Sequence, residues 1–326
     1  MRKLGTIDLE VLHLAIKEKG TFNENNLENS ELKRHGVGKI LDTLENLGIS
    51  ENTLKVLENA KPIKKTIKLD RNQPEFKLTF ENYKSKVVTN YRIQKSKDEY
   101  KKNKVLLDKI EKKYNVNGRL IIALWAIESN FGNNMGKFNL FHTLSSLAFD
   151  GRRSSFFSKE LLNALKIIEN KMVKNTNIKS GWAGALGQCQ FMPSSYLTYA
   201  VDENKDGEID IWNNKEDVFG SMANYLSQNG WNNKYIWGRA VNIDKIKDPM
   251  IYNKKNKVLS EWKKIGLKQK NGDELPFADI KAKLLIIDKS KNSSYLVYNN
   301  YETILKWNRS NYFALSVASL SDYIIK

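Results

Sequence analysis

The sequence predicts a mainly α fold of the α+β type, and three observations carry that expectation. From Leu120 to Ile127 every side chain is apolar, with Asn117-Gly118 before the run and Ser129, Asn130 and Gly132 after it. Length and flanks favour a buried helix there over a strand. Apolar residues recur at helical spacing on both sides of the run, and only residues 240–326 turn mixed.

Residues 1–68 read as a helical N-terminal region. Leu9, Leu12 and Ile16 mark a short amphipathic piece, and Ile40, Leu41, Leu44 and Leu47 mark a second before the stop at Gly48. Gly48-Ile49-Ser50 opens a third, through Leu54 and Leu57. A second domain is expected over 69–326. It starts with a polar turn, Asp70 to Glu75 with Pro74 inside it, followed by Phe76, Phe80 and Tyr83. Residues 98–114 are expected as one amphipathic helix with Leu107, Ile110 and Tyr114 on one face. Leu140–Glu169 is helical, interrupted by Asp150-Gly151-Arg152-Arg153-Ser154, and Ala223–Trp231 is a helix ending at Gly230. Beyond it, Ala282–Ile287, Tyr295–Tyr298 and the run after Tyr301 are expected as extended pieces, before a final helix Tyr312–Ile325.

Composition limits the functional classes. With 40% hydrophobic residues and only 5 prolines in 326, the chain can bury a sizeable core without long disordered linkers. Lys+Arg at 54 against Asp+Glu at 37 leaves a formal charge of +17, which favours polyanionic partners such as nucleic acid, anionic lipid or acidic cell-wall polymer without choosing among them. The single cysteine, Cys189, excludes an intramolecular disulfide and a multi-Cys zinc site, and the 3 histidines lack metal-ligand spacing. No apolar run reaches the length of about 18 residues needed for a transmembrane helix. The first residues do not read as a signal peptide, because acidic residues interrupt the apolar stretch.

Chemistry is concentrated in a few stretches. Glu128 ends the apolar run; partial loss of hydration raises a carboxyl's pKa and suits it to act as a general acid. The bland alternative is a solvated or salt-bridged helix-end Glu. Arg152 and Arg153 are right for carboxylates or sugar hydroxyls, although adjacent loop arginines are usually just solvated. Ser180–Ser195 is rich in glycine, with Gln188 and Gln190 supplying amide donors and acceptors. It suits a sugar groove, and equally a tight-packing turn. It is not a phosphate loop, since Gly-Lys-Ser/Thr is absent. Asp202-Glu-Asn-Lys-Asp-Gly-Glu-Ile has oxygen side chains at positions one, three and five and Gly207 at six, as in a calcium loop. Position twelve is Asn213, so a closing carboxylate has to come from Glu216 or Asp217.

Taken together, LDRNQPEF (69–76), IESNFG (127–132), WAGALGQCQFMPSSY (182–196), DIW with ANYL (210–212 and 223–226) and LKWNRSNYFALSV (305–317) resemble the membrane-bound lytic murein transglycosylase B family. The resemblance runs from about Gly48 to the C-terminus. It implies a lysozyme-like catalytic core followed by a small mixed part, acting on peptidoglycan glycan strands in the periplasm or cell envelope. It makes Glu128 the sole catalytic acid/base, with the sugar's own C6 hydroxyl as nucleophile and 1,6-anhydromuramoyl ends as product. By the same resemblance Arg152, Arg153, Gln190, Tyr225, Tyr83, Trp307 and Asn308 line the substrate cleft. A structural Ca2+ would be held by Asp202, Asn204, Asp206, the carbonyl of Glu208, and Asp217, with no cofactor needed for the chemistry.

One departure stands out. The family has Gly-Ser before the aromatic-Ala-Gly-Ala run where this chain has Ser180-Gly181-Trp182, so a hydroxyl contact beside the catalytic Glu is missing or shifted. Competing readings are a hydrolytic muramidase on the same fold and an inactive peptidoglycan-binding protein. Other cell-wall enzymes are candidate partners, and no nucleic-acid motif is present.

Overall fold

In the computed structural model the described residues are 48–57, 60–72, 78–150, 152–288 and 293–325. The expected helices around Leu9–Ile16 and Val37–Leu47, and the turn around Pro74 and Phe76, lie outside them. Chain contacts divide the molecule into two compact units, Met1–Gln73 with Glu128–Met222, and Pro74–Ile127 with Ala223–Lys326.

In chain order the elements begin with α1 (Glu51–Leu54), which runs on as a 3-10 turn to Leu57, and α2 (Lys64–Asp70). Ser50 caps α1 through its hydroxyl, which accepts the Thr53 N–H. Next come α3 (Phe80–Val87), α4 (Asn90–Lys102), α5 (Lys104–Tyr114) and α6 (Gly118–Ser129). Then follow β1 (Phe138–Asn139), α7 (Leu140–Phe149), α8 (Ser154–Glu169), β2 (Lys179–Ser180), α9 (Pro193–Tyr199) and α10 (Lys215–Gln228). The rest is β3 (Gly238–Asn242), β4 (Asn256–Val258), α11 (Leu259–Lys264), β5 (Lys268–Gln269), β6 (Lys281–Asp288), β7 (Ser293–Val297), α12 (Asn299–Trp307) and α13 (Asn311–Ile324).

The first unit is built on α7 packed against α8, with α9 on α8 and α2 on α7. Its core holds Phe141, Leu144, Phe157, Leu161 and Leu165 together with Val218, Phe219 and Met222. The apolar run is helical as expected, and every residue from Leu120 to Ala126 is at most 2% exposed. A helix buried on every side cannot show an amphipathic period, which is why the run reads as continuous.

The second unit carries a five-stranded antiparallel sheet in the order β4-β6-β7-β3-β5. One face packs on Leu259 and Trp262 of α11, with Val241, Leu284, Ile286 and Leu296 contributed by the strands. Trp262 is fully buried and donates its indole N–H to the Ala282 carbonyl at 2.9 Å. Thr79, Thr89 and Ser310 each cap the helix that follows with a side-chain oxygen.

Three expectations are corrected. Residues 98–114 are not one helix: the chain breaks at Asn103 between α4 and α5, where the Asn103 side chain donates to the Glu99 carbonyl at 2.7 Å and competes with the backbone ladder. The run after Tyr301 is helical, not extended. Its aromatic and β-branched residues favour strand by composition, yet Tyr301 and Ile304 fall one helical turn apart and both are buried. The helix expected over Ala223–Trp231 begins eight residues earlier, at Lys215, and stops at Gln228 just before Gly230, which has φ +99°. Its first turns, Val218, Phe219 and Met222, are fully buried behind a polar Lys-Glu-Asp start. The strand at 281–288 encloses the expected Ala282–Ile287 and that at 293–297 overlaps the expected Tyr295–Tyr298, whereas β3, β4 and β5 carry no clear sequence signal.

Trp262→Ala removes the largest side chain of the sheet core and its indole hydrogen bond, and should cost about 3–5 kcal/mol. Urea denaturation reads this as a lower midpoint at an unchanged slope.

Candidate active site

Glu128 sits in the last turn of α6, half-buried, at the mouth of the apolar run. Directly after the helix, Asn130, Phe131 and Gly132 take positive φ in succession, at 49°, 60° and 80°. This left-handed stretch reverses the chain sharply and is tied down by Asn134 N–H donating to the Ser129 carbonyl at 2.8 Å and Gly132 N–H to the Ser129 hydroxyl at 3.1 Å.

The reversed turn lies against the glycine-rich loop. A Cβ on Gly132 would sit 2.4 Å from Gln188 Oε1, and one on Gly136 would sit 2.1 Å from the Ser180 carbonyl oxygen. At Gly136 the clash is with backbone and no side chain fits, at Gly132 the Gln188 side chain would have to move, and both have the positive φ that glycine alone adopts freely. β1 and β2 join the same two segments through the Phe138 and Ser180 pairing. Gln188 is pinned by its amide, which donates to the Trp212 carbonyl at 2.6 Å. Gln190, itself at φ 50°, donates to the Gly187 carbonyl at 2.8 Å and lies 3.4 Å from the Met135 carbonyl.

The Ser180-Gly181 departure has a local cause. The Ser180 hydroxyl is buried and turned to the Gly181 and Phe138 carbonyls, at 3.1 and 3.5 Å. A Cβ at position 181 would lie 2.9 Å from Gln190 Oε1. The Gln190 amide thus fills the room a serine side chain would need. Cys189, in the same loop, is fully buried; burial first, then the charges of Glu128 and Asp217, push its thiol well up, so it is not a thiolate nucleophile.

Arg152 and Arg153 gather around a residue that the sequence offered only as part of a turn, Asp70, whose carboxylate is buried at the end of α2. Glu160 is also buried and accepts the Ser194 N–H at 2.9 Å and hydroxyl at 2.7 Å, which fixes the start of α9. Burial pushes the Glu160 carboxyl up, partly offset by the Ser194 hydrogen bonds. Neither carboxylate announces itself in sequence. The spacing of Asp70 to the arginines is only visible once α2 and α7 are packed.

The acidic loop has the turn geometry expected of it, with Lys205 at φ 63° and Gly207 at φ 92°. Asp202 accepts N–H groups of Asp206 and Gly207, and Asn204 and Asp206 accept N–H groups of Asp206 and Glu208. The Glu208 side chain pairs with Lys174. Asp217 is fully buried and bridges the loop, accepting Glu203 N–H and Asp210 N–H at 2.8 Å each. Burial outweighs these bonds and raises the Asp217 carboxyl. Among the described residues no three His, Cys, Asp or Glu side chains form a group that could hold a metal ion. The loop's own oxygen donors for a hard cation are Asp202, Asn204, Asp206 and the Glu208 carbonyl, a set chemically suited to calcium that has no bidentate acid of its own.

The remaining sequence-predicted residues belong to the second unit and form two groups. Tyr225 packs edge-on against Trp307 with ring centroids 4.7 Å apart and donates its hydroxyl to the Lys306 carbonyl at 2.7 Å. Asn308 follows Trp307 and accepts the Ser310 N–H at 3.0 Å, shaping the entry to α13. Tyr83 is buried at 8% exposure and packs on Tyr312 at 5.7 Å.

Comparison with known proteins accounts for this combination. Membrane-bound lytic murein transglycosylase B of Escherichia coli (strain K12) is 30% identical over 249 residues, which span 74% of this chain and 66% of that protein, just under two thirds of its length. The crystal structure of SltB3 from Pseudomonas aeruginosa in complex with NAG-anhNAM-pentapeptide superposes with a TM-score of 0.82 at 32% identity, covering 87% of this chain and 77% of that one. Escherichia coli lytic transglycosylase Slt35 in complex with calcium gives 0.76 at 27% identity, covering 91% and 93%. The pattern of the transglycosylase SLT domain family matches residues 34–322. Nearly the whole length, including the Glu128 helix and the glycine-rich loop, falls within that match, and the chain belongs to the transglycosylase SLT domain family.

Proposed function

We infer that the chain is a peptidoglycan lytic transglycosylase that cleaves the MurNAc-β-1,4-GlcNAc bond and leaves 1,6-anhydromuramoyl ends. The observation that carries this is Glu128, a half-buried carboxylate at the end of an apolar helix, followed directly by a turn whose Gly136 packs on the Ser180 backbone too closely to admit a side chain. Family membership and the muropeptide-bound relative support the same substrate class.

Glu128 acts twice. As the acid it gives its proton to the glycosidic oxygen while that oxygen's bond to the muramoyl C1 breaks. As the carboxylate it then takes the proton of the C6 hydroxyl while that oxygen bonds to C1. The proton count closes and no water is consumed. Holding the hydroxyl beside C1 makes the second step intramolecular, an advantage of roughly 7–11 kcal/mol in well-oriented cases. Gln190, Arg152, Arg153, Tyr83, Tyr225, Trp307 and Asn308 are assigned to the sugar and peptide. Calcium, when bound, is assigned to Asp202, Asn204, Asp206 and the Glu208 carbonyl, closed by Asp217, and supplies loop stability with no part in the proton transfers. The domain division remains 1–68 and 69–326, and the cell envelope is the proposed site of action. Among the described residues no helix is long and apolar enough to cross a membrane.

Mass analysis of digested peptidoglycan tests the reaction type. Fragments carrying anhydro ends are expected; fragments that have gained water instead would make the protein a muramidase. Glu128→Gln should lower kcat by about 10²–10⁴-fold while glycan binding persists, and full activity in that variant would remove Glu128 from its role.

For the metal, added Ca2+ should raise Tm by a few degrees through preferential binding to the folded state, leave kcat unchanged, and lose this effect in Asp202→Ala. A flat calorimetric titration would reduce the loop to a structural turn.

A further inference from the structure

We infer that Asp70 is a positioning residue, holding Arg152 and Arg153 in place for the carboxylates or hydroxyls of the substrate; this rests on the proposed assignment of those arginines to the glycan. Asp70 ends α2, and its side chain is 1% exposed. Its Oδ2 accepts Arg152 Nε at 2.5 Å, its backbone carbonyl accepts Arg152 Nη2 at 2.8 Å, and its Oδ1 lies 3.1 Å from Arg153 Nη2. The last is an ion pair. Arg153 is held from its other side by the faces of Phe157 and Phe156, 4.6 and 5.4 Å from the ring centroids.

Arg71 pairs separately with Asp150 at 2.7 Å. The two loop arginines are only half sequestered: Asp70 is closed to solvent while the side chains of Arg152 and Arg153 stay 43% and 38% exposed. A guanidinium has five donors in a rigid fork. Asp70 uses the Nε–Nη2 edge of Arg152, so the Nη1 end is left for a ligand. Arg153 Nε is buried without a hydrogen-bond partner among the described residues, so its group too is incompletely satisfied. Clamping one edge of a long flexible side chain removes its rotamer freedom before the ligand arrives, which is how preorganisation raises affinity.

Steady-state kinetics on soluble muropeptide fragments, with Tm measured in parallel, test the assignment. Asp70→Asn keeps the shape and loses the charge; it should raise KM about tenfold, the size of one charged hydrogen bond, with kcat within about twofold of wild type. Arg152→Ala should raise KM similarly, and Asp70→Asn should add nothing further to the Arg152→Ala/Arg153→Ala pair, because Asp70 acts only through the two arginines. Asp70→Glu should recover part of the loss, and stands in if the Asn variant fails to fold. A lowered Tm with wild-type KM in Asp70→Asn, or in Asp70→Glu where that variant stands in, would make Asp70 a structural pin and overturn the inference. Unchanged KM in both Arg152→Ala and Arg153→Ala would instead defeat the arginine assignment on which it rests. If the wild type shows no turnover, the lytic reading fails separately, and calorimetric binding of the same fragments across these variants gives the same comparison.

Discussion

Everything around Glu128 depends on one steric constraint, the close approach of the turn after α6 to the glycine-rich loop, through the Gln188 side chain at one point and the Ser180 backbone at another. The turn after α6 and the glycine-rich loop meet at Gly132 against Gln188 and at Gly136 against Ser180. With side chains excluded there, the loop can press its amides and carbonyls onto the turn that carries the carboxylate. The three consecutive left-handed residues, among them a phenylalanine, are the cost of this arrangement. Left-handed backbone on a bulky residue costs of order 1–3 kcal/mol and persists only where the surroundings over-determine it. Here the Ser129 hydroxyl and carbonyl, the β1–β2 pair and the packed loop do so together.

The first unit also buries an unusual set of carboxylates, each with a mechanical task. Glu160 anchors the start of α9 through Ser194, Asp217 ties the two ends of the acidic loop, and Asp70 gathers the arginines between α7 and α8. Moving a carboxylate out of water costs several kcal/mol unless charged hydrogen bonds replace the lost hydration, so such groups are retained where they fix geometry. The raised carboxyl of Glu160 and that of Asp217 show that burial is only partly compensated. Glu128 differs from them in being only partly buried at the end of its helix, which suits the acid/base role proposed for it.

Legibility in the sequence followed the range of the interactions. The Leu120–Ile127 helix, the break at Asp150–Ser154 and the two long strands at 281–288 and 293–297 all rest on local pattern, and local pattern revealed them. Glu128, Arg152, Arg153 and Gln190 stand out as candidates by resemblance to a known family. Failures came where local preference and packing disagree. Asn103 breaks the helix expected over 98–114 by bonding the backbone one turn back, and the β-branched stretch after Tyr301 is helical because burial on one face outweighs strand preference.

By itself the sequence determined the helical class, the position of the carboxylate at the end of an apolar run, and the chemical types available near it. Those are properties of neighbours in the chain. Tertiary structure alone decided that Gln190 fills the space left by Gly181, that Asp70 sits under both arginines, and that Asp217 spans the acidic loop from a helix beyond it. Each of these joins residues that are far apart or faces that periodicity does not encode. Their geometry exists only after the helices have packed and excluded water from between them.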